Sequence, residues 1–579
     1  MPFLFLFILI TSLFTRYQGN YHPFYTGLYD FIKNPKLFQN DIYFLNSFVQ
    51  ESSIFYGLFK YTNFSPDNDI LFFGLYCFFS LIALVSIFFI IKDFLKVDNF
   101  TNILLIVLPL LVFDGGILEG PKGSILIYHT VGATPFAHFL VFPLVLFTLK
   151  RMWIATFLIS TLMILLTIKV AWLPVGASIL FCIYKEKKLQ NLIWMLPPLL
   201  SVYLLSGNSP IPHDFNYKLN LVNIVFERDH KEDVFHLQNT YVLIFFLISF
   251  YIFYKFINKI KSQIFKEYLF LLLGLSFLVA LVGGLYTAFF YKLFPDPRLV
   301  LLSPVRAMAL YQFFFVLLLS YFVVSSRNLF FLRSIIISAL FISGISFYGK
   351  GGLLGLLILS IAVFIYFLDR FEGNNFLMSL GISKLISLLK QSNQNFINAI
   401  FIGLLLIPIQ IYSLSDFRKN VNSQTFNNLN KWTYFSNLND PKLPDEAFKL
   451  RYCKDFKLLA INNAYGLDTY LNYLSLKSKF LGDYAHFYFD HENYIKHLNR
   501  EVFFNKLKSD LFNKSIEEET LEYLDKNEIV VAGHENVLNP LKLLRPNFTL
   551  TSSIVISLPN KEKYKSLFKS CGFTINERI

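Results

Sequence analysis

Charge is scarce in this 579-residue chain: 16% of its residues are Asp, Glu, Lys or Arg, 55% are hydrophobic, and the mean hydropathy is +0.50. That balance excludes an ordinary soluble protein of this length and places the chain in a membrane. Cysteine is rare too, at 4 residues. Cys77 and Cys182 fall in apolar runs and read as small packed residues, whereas Cys453 and Cys571 fall in the polar tail, where a disulfide is permitted and their pairing stays open. The chain lacks a P-loop and any HExxH, CxxC-pair, GxSxG or EF-hand pattern. ATP-driven transport and zinc proteolysis therefore have no motif to rest on. No repeat of fixed period and no long low-complexity linker interrupts it.

Phe (69) and Lys plus Arg (52) are abundant, and part of the net charge of +13 reflects a compositional drift towards Phe, Ile, Asn and Lys. A pI near 9.2 is thus no argument for nucleic-acid binding, and no nucleic-acid partner is expected. In a membrane protein, basic residues report orientation instead. Apolar segments of bilayer-crossing length, or close to it, occur at about 1–15, 70–91, 101–118, 132–149, 152–168, 170–184, 190–206, 240–258, 268–291, 307–325, 331–348, 351–368 and 396–413. The expected fold is a polytopic α-helical membrane protein of about 13 spans with a C-terminal soluble α/β domain. MPFLFLFILITSLF is taken as the first span, because it has neither a basic n-region nor a small-residue cleavage site.

Lys92 and Lys96, Lys150 and Arg151, Lys185, Lys187 and Lys188, the lysines at 255–266, and Arg327 with Arg333 occupy alternate short connections. Those connections are expected in the cytoplasm by the positive-inside rule. Connections 16–69, 114–131, 207–239 and 292–306, and the tail, then face outward. The expected domains are 1–413, the multi-span part with its first outward loop at 16–69, and 414–579, the outward soluble part. In the tail, SIEEETLEYLDKNE and KEKYKSLFKSCG read as helices, and IVVAG and SSIVISLP as strands, with a loop expected directly after IVVAG. His486, Asp490, His491 and Arg500 have no metal-ligand spacing, and no metal site is expected there.

Chemistry is expected in the outward loops, where polar groups have little structural reason to gather unless they line a site. The first, YHPFYTGLYDFIKNPKLFQNDIYF, supplies His22, Asp30 and Asp41. Glycosyl transfer needs one carboxylate as general base, to take a proton from the acceptor hydroxyl. The bland reading is that such carboxylates merely solvate the loop or cap interfacial helices. The third loop packs Arg228, Asp229, His230, Asp233 and His236 within 228–236, and the fourth offers Arg298 and Arg306. Arginine at a span boundary is costly without an anionic partner, and guanidinium binds phosphate oxygens bidentately. Headgroup contact or an internal ion pair is the competing explanation for both arginines.

One span, a long acidic outward loop, about a dozen further spans and an outward C-terminal domain resemble the GT-C superfamily of integral-membrane glycosyltransferases. Locally, His22-Pro23 and the stretch Asn34, Pro35, Leu37 and Asp41 are similar to the first-loop pattern of bacterial members. The resemblance implies a catalytic Asp in this loop, a polyprenyl-phosphate-linked sugar donor, a lipid or glycan acceptor, contact with membrane lipids, and a bacterial inner-membrane setting with the tail outside the cytoplasm. Many members carry Asp-Glu directly after His-Pro, whereas this chain has Phe24 and Tyr25. The base is therefore expected at Asp41, with Asp30 as the alternative. His22, Arg228, His230, Arg298 and Arg306 are the expected substrate-binding residues. No cofactor is indicated by the sequence, and a divalent ion stays open. A lipid-linked glycan flippase and an inactive membrane scaffold are the competing readings; the first would need cationic grooves but no outward carboxylate at a reactive centre.

Overall fold

The structure is a computed structural model that describes residues 53–62, 69–100, 132–186, 193–205, 260–296, 456–461, 491–550 and 554–576 continuously, together with parts of 29–33, 102–110, 215–223, 254–258 and 313–321, and residues 64 and 453. The chain divides into two compact units. One comprises Met1–Tyr17, Gly74–Leu204 and Lys218–Arg418, the other Gln18–Phe73, Leu205–Tyr217 and Lys419–Ile579. The short helix α1 (Ser53–Tyr61) belongs to the second unit.

The helices of the first unit are α2 (Asp69–Phe89, its first turn in the second unit), α3 (Ala133–Leu149), α4 (Trp153–Leu166), α5 (Ile168–Lys185), α6 (Leu196–Leu205, ending at the unit boundary) and α7 (Gln263–Leu285). Two continue into single π-helical turns, Ile90–Phe94 after α2 and Tyr286–Phe290 after α7. Long runs of Leu, Phe and Ile with charge confined to their ends favour the helix, since it satisfies every backbone group within one segment. Among the described residues, Gly74–Phe94 and Gln263–Gly283 are long and apolar enough to cross a membrane, and α3, α4 and most of α5 are shorter apolar helices. The segments expected at 1–15, 331–348, 351–368 and 396–413 lie outside the described residues; those at 101–118, 240–258 and 307–325 are described only in part.

Aromatic rings join the helices of this unit. Phe79 of α2 stacks on Phe136 of α3 at 4.3 Å, and Phe181 of α5 meets Tyr268 of α7 edge-on at 5.1 Å. Beside that second pair runs a buried chain of hydroxyls. Thr148 Oγ1 lies 3.1 Å from Ser178 Oγ, which lies 3.2 Å from the Tyr268 hydroxyl, so α3, α5 and α7 share one polar seam. Such a seam fixes helix register where apolar contact alone discriminates weakly.

The C-terminal part of the second unit is built on a four-stranded sheet. Its elements are β1 (Lys457–Ile461), α8 (His491–Phe512), α9 (Glu518–Lys526), β2 (Ile529–His534), α10 (Glu535–Leu544), β3 (Asn547–Thr549), β4 (Ile554–Ser557) and α11 (Glu562–Ser570). The strand order is β1-β2-β4-β3, with β1 and β2 parallel and the other pairs antiparallel. Strand alternation feeds two cores. Ile529 and Val531 of β2 pack with Phe503, Leu507, Leu511, Leu524, Leu538 and Leu541 of α8, α9 and α10. Val530 and Ala532 face the other way, towards Phe548, Ile556, Tyr564 and Phe568. Cys453 and Cys571 sit on that second face and form a disulfide, with their Cα atoms 5.8 Å apart.

One expectation for this region is corrected. IVVAG is a strand, but α10 starts at Glu535 without an intervening loop. Gly533 makes this turn possible: a Cβ there would lie 3.0 Å from Leu538 Cγ and 3.3 Å from the Ile461 carbonyl oxygen. The amphipathic spacing of Leu538 and Leu541 then outweighs the Asn and Pro540 that make the segment look like a loop.

Arg545, just past α10, is fully buried. Its Nη2 donates to the Ile529 carbonyl at 2.9 Å and sits 3.0 Å from Asp525 Oδ1. Burial pulls its pKa down to about 10, and Asp525 opposes that pull. Asp525→Ala strands a buried cation and should cost about 3 kcal/mol, whereas Arg545→Met, which fills the space with apolar atoms, should cost far less. Hydrogen exchange of the β2 amides in the full-length protein checks this. Equal loss of protection in both variants would contradict the ion-pair account.

Candidate functional site

The described part of the first long loop is an aromatic clasp. Phe55 and Phe59 of α1 are buried, the Tyr29 ring meets Phe59 edge-on at 5.7 Å, and Phe64 stacks on Phe59 at 6.1 Å. Lys33 Nζ donates to the Thr62 carbonyl at 3.3 Å and lies 5.5 Å from the Tyr29 ring centroid. Thr62 closes the end of α1: its hydroxyl donates to the Leu58 carbonyl at 2.5 Å and accepts from the Phe64 N–H at 3.1 Å. Tyr29 and Lys33, the residues that bracket Asp30 in sequence, are thus tied to α1.

A second clasp opens the connection after α7. The Tyr286 hydroxyl donates to the Phe294 carbonyl at 2.7 Å and accepts from the Asp296 N–H at 2.8 Å. One side chain in the π-helical turn thereby fixes the chain two residues ahead of Arg298. Its signal in the sequence is weak, because a Tyr at the end of an apolar run reads first as an interfacial anchor.

None of the seven expected site residues, Asp41, Asp30, His22, Arg228, His230, Arg298 and Arg306, lies within the described residues. The two clasps hold segments next to Asp30 and Arg298. Among the described residues, no set of three His, Cys, Asp or Glu side chains converges in a way that could hold a metal ion.

A cluster of charges gathers at the end of the sheet where β2, an interior strand, begins. Glu528 Oε1 accepts from Lys561 Nζ at 2.7 Å and Lys563 Nζ at 2.6 Å, and Oε2 accepts from the Tyr564 hydroxyl at 3.0 Å. These donors, the two lysines foremost, pull the Glu528 carboxyl down from its ordinary 4.5 to about 2. The folded state therefore holds the ionised form more tightly than the unfolded chain does. The resulting stability is present in full above pH 4.5 and is lost as the pH falls towards 2. Glu528→Gln should be less stable than the parent at pH 7, and the gap should narrow below pH 4.5 and close only as the pH falls through about 2. Thermal unfolding of both proteins across that range checks it; a gap independent of pH would refute the linkage.

Comparison with protein-family models, with curated proteins and with solved structures gives no match.

Proposed function

We propose that this chain is a polytopic membrane glycosyltransferase of the GT-C type, moving a sugar from a polyprenyl-phosphate donor to a lipid or surface-glycan acceptor on the outward face. The observation that supports it most is the arrangement of charged helix ends. Lys150, after α3, pairs with Asp93, after α2, at 2.9 Å. Lys185, ending α5, pairs with Glu267 at the start of α7, and Arg151 is near enough to act on Glu267 electrostatically. Four basic junctions thus gather at one end of the bundle, the end that the positive-inside rule assigns to the cytoplasm.

With about thirteen spans counted from that end, loops 16–69, 207–239 and 292–306 and the α/β region face outward, in a bacterial inner membrane. The Cys453–Cys571 disulfide supports the same side, since disulfides persist in oxidising compartments. In this reading Asp41, or Asp30 in its place, takes the proton from the acceptor hydroxyl. Arg298 and Arg306, with Arg228 and His230, offset charge on the departing phosphate, and His22 contributes to substrate binding. The test is turnover of radiolabelled polyprenyl-phosphate sugars by the purified protein with a panel of lipid acceptors. Glycosylated lipid is the expected product; donor that binds but is never transferred would overturn the reading in favour of a flippase or scaffold.

A further inference from the structure

We propose that the basic end of the helical bundle is a binding site for an anionic phospholipid, its phosphate beside Arg151 and its acyl chains along α4 and α5. The inference rests on the membrane-spanning part of the reading above and not on the transfer reaction.

Charge is the first observation. In the described junctions 90–100, 150–152, 184–186 and 260–267, seven Lys or Arg stand against four Asp or Glu. Asp93 and Glu267 are already paired to Lys150 and Lys185, so the excess at this end is cationic.

Backbone geometry is the second. Arg151 lies in the left-handed region with φ 54°, as does Lys96, after the π-helical turn that follows α2, with φ 58°. At the end of α3, the Arg151 N–H donates to the Thr148 carbonyl at 3.1 Å and the Met152 N–H to the Phe147 carbonyl at 2.9 Å. That pattern places Arg151 at the position where helices ordinarily use glycine. A cation occupies each site although glycine would relax the backbone, and both side chains are exposed. Lys514 closes α8 in the same way, with φ 57°, so the geometry marks a cation at a helix end and gains its meaning here from the charge and apolar surface around it. Attraction to the helix carbonyls is a competing use, and the test separates the two.

The surface next to these cations is the third. α4 begins and α5 ends at the basic end, and the two helices pack against each other. Met152 just before α4, Ile154 and Leu158 on α4, and Leu180, Ile183 and Tyr184 on α5 are exposed, all within about two turns of the junctions. The Lys185 ammonium lies 4.7 Å from the Tyr184 ring centroid, a cation and an interfacial aromatic at one level. Phosphate contacts at the rim and apolar surface beneath them match a phospholipid better than a free anion, which would leave the apolar half unused. Polybasic surfaces of this kind recognise anionic headgroups at roughly fivefold per cation.

The test uses the full-length protein in phosphatidylcholine nanodiscs, titrated with phosphatidylglycerol and read by native mass spectrometry and thermal shift. Phosphatidylglycerol should bind and stabilise the parent, and Lys96→Gly/Arg151→Gly should weaken that binding by at least about fivefold. The glycines suit both backbones, so the unliganded variant should melt no lower than the parent. Binding left unchanged in the variant, equal binding of phosphatidylcholine, or equal stabilisation by inorganic phosphate would each overturn the site. Polyprenyl phosphate as a further arm distinguishes the donor lipid from a phospholipid, and preference for it would also overturn the assignment. A protein that never incorporates into nanodiscs would fail the membrane reading itself. Sugar transfer can be absent without touching this result.

Discussion

Asp41→Asn should lower sugar transfer from a polyprenyl-phosphate donor by about 10²–10⁴-fold, the span that a positioned general base contributes. Asparagine keeps the size of the side chain and one acceptor oxygen but cannot take the acceptor's proton. Donor binding should change little, because in the proposed site the phosphate is held by guanidinium groups and not by the base. The loss should therefore appear in kcat with KM for the donor nearly constant, the signature of an interaction made in the transition state. Asp30→Asn is the companion variant. Full activity there with loss at Asp41 assigns the base; the reverse pattern moves it to Asp30, which the clasp of Tyr29 and Lys33 onto α1 brackets in sequence. Unchanged transfer in both variants would remove the base from the first loop altogether.

Why the helical bundle was easier to read than the site follows from where the information lies. An apolar run needs no partner to be recognised, so α3 at Ala133–Leu149 and α5 at Ile168–Lys185 fall within two residues of the expected segments. α7 starts five residues earlier than the expected 268. Ser262 caps it, accepting from the Phe265 N–H at 3.4 Å, and the polar turn Gln263–Glu267 belongs to the helix without belonging to the apolar run. In the tail, the same logic failed for α10 and β1. Both are built from residues whose structure is decided by burial across the sheet, Leu538 and Leu541 against β2, Leu458 and Leu459 on opposite faces of β1. α8 carries its period openly in Phe503, Leu507 and Leu511, four residues apart, although its first turns hold polar residues of the His- and Asp-rich stretch around 486–491. The candidate site is harder still. Its residues come from loops hundreds of positions apart, and each was chosen for what its side chain can do. Local pattern encodes no distance between Asp41 and Arg298.

Cleavage of the Cys453–Cys571 disulfide should destabilise the α/β region by about 4–5 kcal/mol, because the bridge closes a loop with a sequence separation of 118 and chain-entropy loss grows with the logarithm of that length. The sequence left this pairing open; the fold decides it by bringing the end of α11 onto the sheet face that also buries Cys453. The effect should be larger than that of Asp525→Ala, which removes one ion pair while leaving the loop closed. Reduction and the double variant Cys453→Ala/Cys571→Ala should agree, since the alanines remove the bridge without burying a new polar group. Hydrogen exchange of β4 and α11 in the full-length protein reads the loss, with alkylation confirming that the bridge has opened. Protection that survives verified reduction would mean the two cores hold the sheet without it. The same thiols also test the proposed orientation. A membrane-impermeant maleimide applied to intact cells should label the half-buried Cys571 only after reductant, because the bridge blocks it beforehand, whereas Cys453 lies in the core and should react only where the reduced region opens. Labelling that requires permeabilised cells would place the α/β region in the cytoplasm, where an oxidised pair is not expected to persist, and would remove the topology on which an outward transfer reaction depends.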